Sequence, residues 1–137
     1  MKILICGLPG SGKTWLAERL VQNISNCAWY NADIVRKSAN DWDFSMEGRI
    51  RQANRMKTFA DFEKQNGRWV ICDFVAPTEK AREAFNPDFV IWLDTIKSGR
   101  YDDTNKMFET PAKYDFRVKE KNAEHWSDKI SNELKKE

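Results

Sequence analysis

Eight residues near the amino terminus, Gly7-Leu8-Pro9-Gly10-Ser11-Gly12-Lys13-Thr14, have the types and spacing to hold a polyphosphate. They match the pattern G-x-x-x-x-G-K-T/S at every fixed position. The glycines let the backbone wrap an anion with its N–H groups pointing inward, and a helix beginning near Lys13 adds its positive dipole end. Lys13 would reach the β- and γ-phosphates, and the Thr14 hydroxyl would ligate Mg2+. ATP and Mg2+ are therefore the expected cofactors, with Lys13 a catalytic cation.

Carboxylates are needed beside such a cradle, to hold metal waters or to orient an acceptor. Asp33 follows Ala28-Trp29-Tyr30-Asn31-Ala32, Asp73 closes Trp69-Val70-Ile71-Cys72, and Asp94 ends a third apolar run. Ligands bind at the carboxyl edge of open α/β sheets, which is where all three would stand. A strand-end aspartate is also a common helix cap, so each carries both readings. Position alone leaves the choice among them open, with Asp73 the candidate for the acidic strand end that usually accompanies a phosphate-binding loop.

These groups need a scaffold, and the chain supplies one. Lys2–Cys6, Ala28–Asn31, Trp69–Asp73 and Phe89–Asp94 are short apolar runs of the kind that form strands covered on both faces. Asp115–Val118 is a weaker fifth. Helical patterns lie between them: one directly after the phosphate loop, then Ser45 to Gln65, Thr78 to Phe85 and Asn122 to Lys136. In the last of these Trp126, Ile130 and Leu134 mark a single apolar face. Strands alternating with helices imply right-handed crossovers and a parallel sheet. The expectation is a single α/β domain over residues 1–137, three-layered, with about five parallel strands. The polar segment 96–113, containing Gly99 and Pro111, would be a short lid.

Composition narrows the partners. The 137 residues carry 23 basic and 21 acidic side chains, for a net charge of +2. That balance gives no global field for duplex nucleic acid or anionic lipid. Cys6, Cys27 and Cys72 are odd in number and far apart, and the only histidine is His125, so neither a disulfide framework nor a zinc site is expected. No apolar run is long enough for a membrane span, and Ile3-Leu4-Ile5-Cys6 is too short for a signal peptide. A cytoplasmic setting and a small-molecule substrate follow. Trp15, Trp42 and Trp126 could cover a homodimer interface, with core burial the preferred alternative.

From Met1 to about Asp94 the chain resembles the adenylylsulfate (APS) kinases. Beyond the phosphate loop, three segments carry the likeness. Asn31-Ala32-Asp33-Ile34-Val35-Arg36 resembles that family's D-G-D-N-V-R. Phe44-Ser45-Met46-Glu47-Gly48-Arg49 resembles G-F-S-x-x-D-R, and Asp73-Phe74-Val75-Ala76-Pro77 resembles F-I-S-P. The resemblance implies transfer of phosphate from ATP to the 3′-hydroxyl of adenosine 5′-phosphosulfate. Asp33 would orient or deprotonate that hydroxyl and help hold the Mg2+ hydration shell, which makes it the expected catalytic and metal-associated carboxylate. Arg36 and Arg49 would bind the phosphosulfate, and Phe44 would stack on the adenine. It also places Gln52, Val75, Ala76 and Lys106 among the substrate contacts.

The chain departs from that pattern at several points. Asn31 and Ala32 replace its first Asp and Gly, Gly48 stands at an Asp position, Gln52 at an Asn position, and Ala76 at the serine. The stretch between Arg36 and Phe44 is one residue short. These changes bear on the acceptor, and another nucleoside, a polynucleotide 5′-hydroxyl or a sugar is the alternative to phosphosulfate. A nucleotide-binding regulator without turnover is the remaining alternative.

Overall fold

The computed structural model describes residues 1–99 and 101–136, without the side chain of Asp103. In chain order the elements are β1 (Lys2–Gly7), α1 (Lys13–Gln22), β2 (Cys27–Asn31), α2 (Ala32–Ala39), α3 (Met46–Gln65) and β3 (Trp69–Asp73). There follow α4 (Glu79–Phe85), β4 (Phe89–Leu93), α5 (Asp102–Met107), β5 (Phe116–Val118) and α6 (Ala123–Leu134). The strands form one parallel sheet in the order β2-β3-β1-β4-β5.

Each face of the sheet buries its own cluster. On one side Ile3, Ile5, Ile71 and Ile91 pack with Leu16 and Leu20 of α1 and Ile130 and Leu134 of α6. On the other, Leu4, Cys6, Val70 and Cys72 meet Met56 and Ala60 of α3 and Phe85 of α4. Alternate residues of β1 thus serve opposite layers, and all six of its residues are buried. Continuous apolar strands were the signal for this arrangement, because a sheet covered on both faces has no polar side.

Four helices start on a side chain that accepts a backbone N–H: Asn31 for α2, Ser45 for α3, Thr78 for α4 and Asn122 for α6. Such caps satisfy N–H groups that the first turn leaves unpaired. The expected helices at 45–65 and 78–85 therefore begin one residue later, with Ser45 and Thr78 as caps. Asp94 lies just beyond β4, where its carboxylate accepts from Arg117 Nε at 2.9 Å.

Two helices lie outside the sequence reading. α2 follows β2 without a loop, its start being the Asn31 cap, and only Val35 among its apolar residues is buried. α5 lies inside segment 96–113, where Asn105 exchanges hydrogen bonds with the backbone of Gly99 and Thr104 is buried. Residue 100 of the expected lid lies outside the described residues. Burial of the tryptophans divides: Trp126 packs partly on the core, whereas Trp15 and Trp42 are 65% and 51% exposed, against the preferred reading. No described helix is long and apolar enough to cross a membrane.

Candidate functional site

A cleft of about 830 Å³ opens at the carboxyl edge of β1, β2 and β3. Its walls bring together Gly10, Lys13 and Thr14 of the phosphate loop, Asp73 from the end of β3, Asp33 from the first turn of α2, and Phe44 and Arg49 from the entry to α3 and its first turn. Residues as distant in sequence as Gly10 and Asp73 meet there because three parallel strands end side by side.

The loop after β1 is shaped to receive an anion. Gly12 has φ of 98°, a left-handed conformation that L side chains rarely adopt, and it opens α1 without any side-chain cap. The N–H groups of that first turn are thus left to a ligand. Ser11 Oγ is fully buried with no hydrogen-bond partner, a further polar atom of the cradle that protein groups do not satisfy. Lys13 folds onto the loop, its Nζ donating to Leu8 O at 3.0 Å. Burial pushes the Lys13 ammonium down to about 8, against the pull of nearby Asp73. A cation so poorly solvated favours a polyanion beside it.

Asp73 is the hub of the acidic side. It is 2% exposed, and its Oδ1 accepts from Trp29 Nε1 at 2.8 Å. Its Oδ2 accepts from Thr14 Oγ1 at 3.1 Å and from Asn31 Nδ2 at 3.0 Å. Burial raises this carboxyl to about 6, although the donors Trp29, Asn31 and Thr14 and the charge of Lys13 all work the other way. A hydroxyl and a carboxylate in contact, next to a phosphate cradle, suit Mg2+ that keeps most of its water shell. Asp33 lines the same cleft and is exposed on the first turn of α2. The contact to Thr14 is made by Asp73, a residue that sequence reasoning ranked second. Trp29 and Asn31 complete the cluster; in the sequence Trp29 read only as a strand residue and Asn31 only as a departure from the family motif.

The expected acceptor residues separate into two groups. Phe44 is 53% exposed in the cleft, and Arg49 lines it, donating Nε to Phe44 O at 2.9 Å and Nη2 to Thr104 Oγ1 at 3.1 Å. Val75 lines it as well. Arg36 departs from expectation. It is 5% exposed, off the cleft wall, and its Nη1 donates to the carbonyls of Asp41 and Asp43 at 3.0 and 3.2 Å. Its guanidinium lies 4.3 Å from the centre of the Phe44 ring, so it supports the ring from within the protein.

Gln52, Ala76 and Lys106 are likewise absent from the cleft wall. Gln52 is buried, tying α3 to Ala32 O at 3.0 Å and accepting from Arg55 Nη1 at 3.0 Å. Ala76 is buried at φ of 44°, with its carbonyl accepting from Arg82 Nε at 2.9 Å. Lys106 is exposed on the last turn of α5. All three positions were inferred from spacing within a motif, which does not report which way a side chain faces.

The loop carrying Phe44 is fixed by charge. Arg51 donates to both Asp41 oxygens at 2.6 and 3.0 Å, and Arg55 donates to Oδ2 as well. Those donors hold the Asp41 carboxyl far below the ordinary range. Asp43 Oδ1 accepts from Ser45 N at 2.9 Å, closing the turn into α3.

Comparison with known proteins agrees with this geometry. A family model described as AAA domain matches residues 3–126. A probable adenylyl-sulfate kinase of Aeropyrum pernix is 34% identical over 85 residues, covering 58% of this chain and 46% of that protein. An adenylyl-sulfate kinase of Halothermothrix orenii is 32% identical over 82 residues, covering 56% and 44%. Each match spans under half of the relative's own length. The solved structure of the Mycobacterium tuberculosis APS kinase in complex with AMPPNP and APS superposes with a TM-score of 0.84. That likeness covers 98% of this chain and 96% of the other at 17% identity, and it shows the fold. The resemblance read from the motifs is borne out by these relatives.

Proposed function

This chain belongs to the AAA domain family, and we propose that it acts as an ATP-dependent phosphotransferase of the adenylyl-sulfate kinase type. Its acceptor would be the 3′-hydroxyl of adenosine 5′-phosphosulfate. The observation that carries the reading is the shared cleft, whose walls include a phosphate cradle, two carboxylates, an aromatic ring and an arginine.

The residues divide the work as follows. The backbone from Gly10 to Gly12 and the open first turn of α1 grip the polyphosphate, and Lys13 offsets its charge. Mg2+, when bound, would supply further neutralisation of the phosphate charge. Thr14 and Asp73 would hold it, one by its hydroxyl and the other by the carboxylate that accepts from that hydroxyl. Asp33, exposed in the cleft, orients the acceptor hydroxyl and takes its proton. Phe44 offers a face for a base, and Arg49 a guanidinium for the phosphosulfate. Cys6, Cys27 and Cys72 are all free thiols, which supports a reducing compartment such as the cytoplasm.

Phosphoryl transfer from labelled ATP to a panel of acceptors tests the reading. Adenosine 5′-phosphosulfate should be phosphorylated in preference to uncharged nucleosides and sugars. Efficient transfer to an uncharged acceptor, unaffected by Arg49→Ala, would overturn the choice of acceptor.

A further inference from the structure

Asn31 and Asp73 are register partners at the carboxyl ends of the neighbouring strands β2 and β3. The orientation of the Asn31 amide is fixed from both sides. Its Oδ1 accepts from Ile34 N at 3.1 Å, capping α2, which leaves Nδ2 to donate to Asp73 Oδ2 at 3.0 Å and Thr14 Oγ1 at 3.2 Å. One side chain therefore joins the helix start, the buried carboxylate and the hydroxyl of the phosphate loop. An aspartate in its place would keep the cap but would have only acceptors to offer Asp73.

We propose that Asn31 is a positioning residue for the metal-facing pair Thr14–Asp73, and that Asn31 and Asp73 form an exchangeable amide–carboxylate pair carrying one negative charge. What the site requires is a single carboxylate at this junction, hydrogen-bonded to a neutral amide across the strand gap. Either strand can supply it. With Asp at 31 and Asn at 73, the cap on Ile34 survives, Trp29 Nε1 still finds an amide oxygen, and the amide-to-carboxylate bond runs in reverse. Thr14 keeps a charged acceptor throughout. With either change alone the network fails: Asn31→Asp sets two carboxylates at hydrogen-bond distance, and Asp73→Asn sets two amide groups against each other or strips Trp29 of its acceptor.

This inference rests on the nucleotide and metal part of the proposed function and is independent of the acceptor. The test uses the full chain as wild type, N31D, D73N and N31D/D73N. ADP affinity is measured by calorimetry in Mg2+ and in EDTA, and melting temperature is measured without nucleotide. N31D should melt below wild type, since a second carboxylate then faces the buried Asp73. D73N should lose at least about tenfold of the affinity that Mg2+ adds, as one charge-assisted contact is removed. The double variant should return to within about threefold of wild type in that Mg2+ increment and should melt above N31D, the non-additivity expected of contacting residues. Additive losses in both readouts would overturn the exchange and leave Asn31 a helix cap only. Wild-type ADP binding indifferent to Mg2+ would overturn both the exchange and the metal role of Thr14 and Asp73. If N31D fails to fold, recovery of folding in N31D/D73N supports the pair and its absence counts against it.

Discussion

Gly48 on α3 lies directly under Asp43, so that a Cβ at position 48 would stand 2.1 Å from the Asp43 carbonyl oxygen. The close approach explains two departures from the kinase pattern together. The stretch from Arg36 to Phe44 is one residue short, the shortened loop is drawn onto α3 by Arg51 and Arg55, and no side chain fits beneath it.

Gly48→Ala should therefore cost about 1–3 kcal/mol of stability, the range for overpacking a tight contact. The loop would have to lift, taking Phe44 with it. Denaturant melts and acceptor KM should move together, with ATP affinity unchanged. A variant that melts and binds like wild type would show that the loop is not held against the helix.

Arg36 and Arg49 should behave differently when each is replaced by alanine. Arg49 lines the cleft, so Arg49→Ala should raise the acceptor KM by the loss of about 1.5–3 kcal/mol for a charged hydrogen bond. Arg36 is buried under Phe44 and holds two backbone carbonyls, so Arg36→Ala should lower the melting temperature first and affect KM through the displaced ring. Equal melting temperatures for the two variants would contradict this division.

The two aspartates of the cleft should divide along metal and chemistry. Asp73→Asn should raise the Mg2+ concentration needed for half-maximal rate, because Asp73 touches Thr14. Asp33→Asn should lower kcat with little change in Mg2+ dependence, because it lines the cleft from the first turn of α2 without that contact. Titrating Mg2+ at saturating ATP separates the two. An unchanged Mg2+ requirement in Asp73→Asn would return the metal role to Asp33.

Lys13 yields a prediction in pH. Its ordinary value of 10.5 falls to about 8 in the folded chain. Between those values the unfolded chain binds the extra proton, so unfolding free energy rises with pH across that window. Relative to Lys13→Met, wild type should gain stability from about pH 8 upward, with a slope of at most about 1.4 kcal/mol per unit for one proton. The same substitution should abolish ATP turnover while leaving the circular dichroism spectrum intact. A folded Lys13→Met that turns over ATP normally would remove the lysine from the mechanism.

The layers and the phosphate loop were legible in the sequence because both are written locally. Apolar runs such as Lys2–Cys6 need no knowledge of their neighbours, and the left-handed turns of the phosphate loop fall on its glycines, Gly10 and Gly12. Sheet order, and hence the pairing of Asn31 with Asp73, is a property of distant segments and left no local mark. The burial of Arg36 was hidden for a similar reason. An arginine among polar residues looks solvent-facing until the loop that it supports is known to fold back over it. Helix α2 was obscured because its apolar residues are mostly exposed, with Ile34 62% accessible, so no buried stripe announces it.

The placement of tryptophans has an optical consequence. Trp29 reaches Asp73 through its indole N–H, Trp15 follows Thr14 on the cleft wall, and Trp42 stands beside Phe44. Three of the six indoles thus sit at or next to the cleft, and ligand arrival changes their surroundings without any added dye. Replacing Trp15 or Trp42 singly by phenylalanine would separate the phosphate-loop signal from the loop beside α3. The order in which nucleotide and acceptor enter would then be readable by stopped flow from the unlabelled protein.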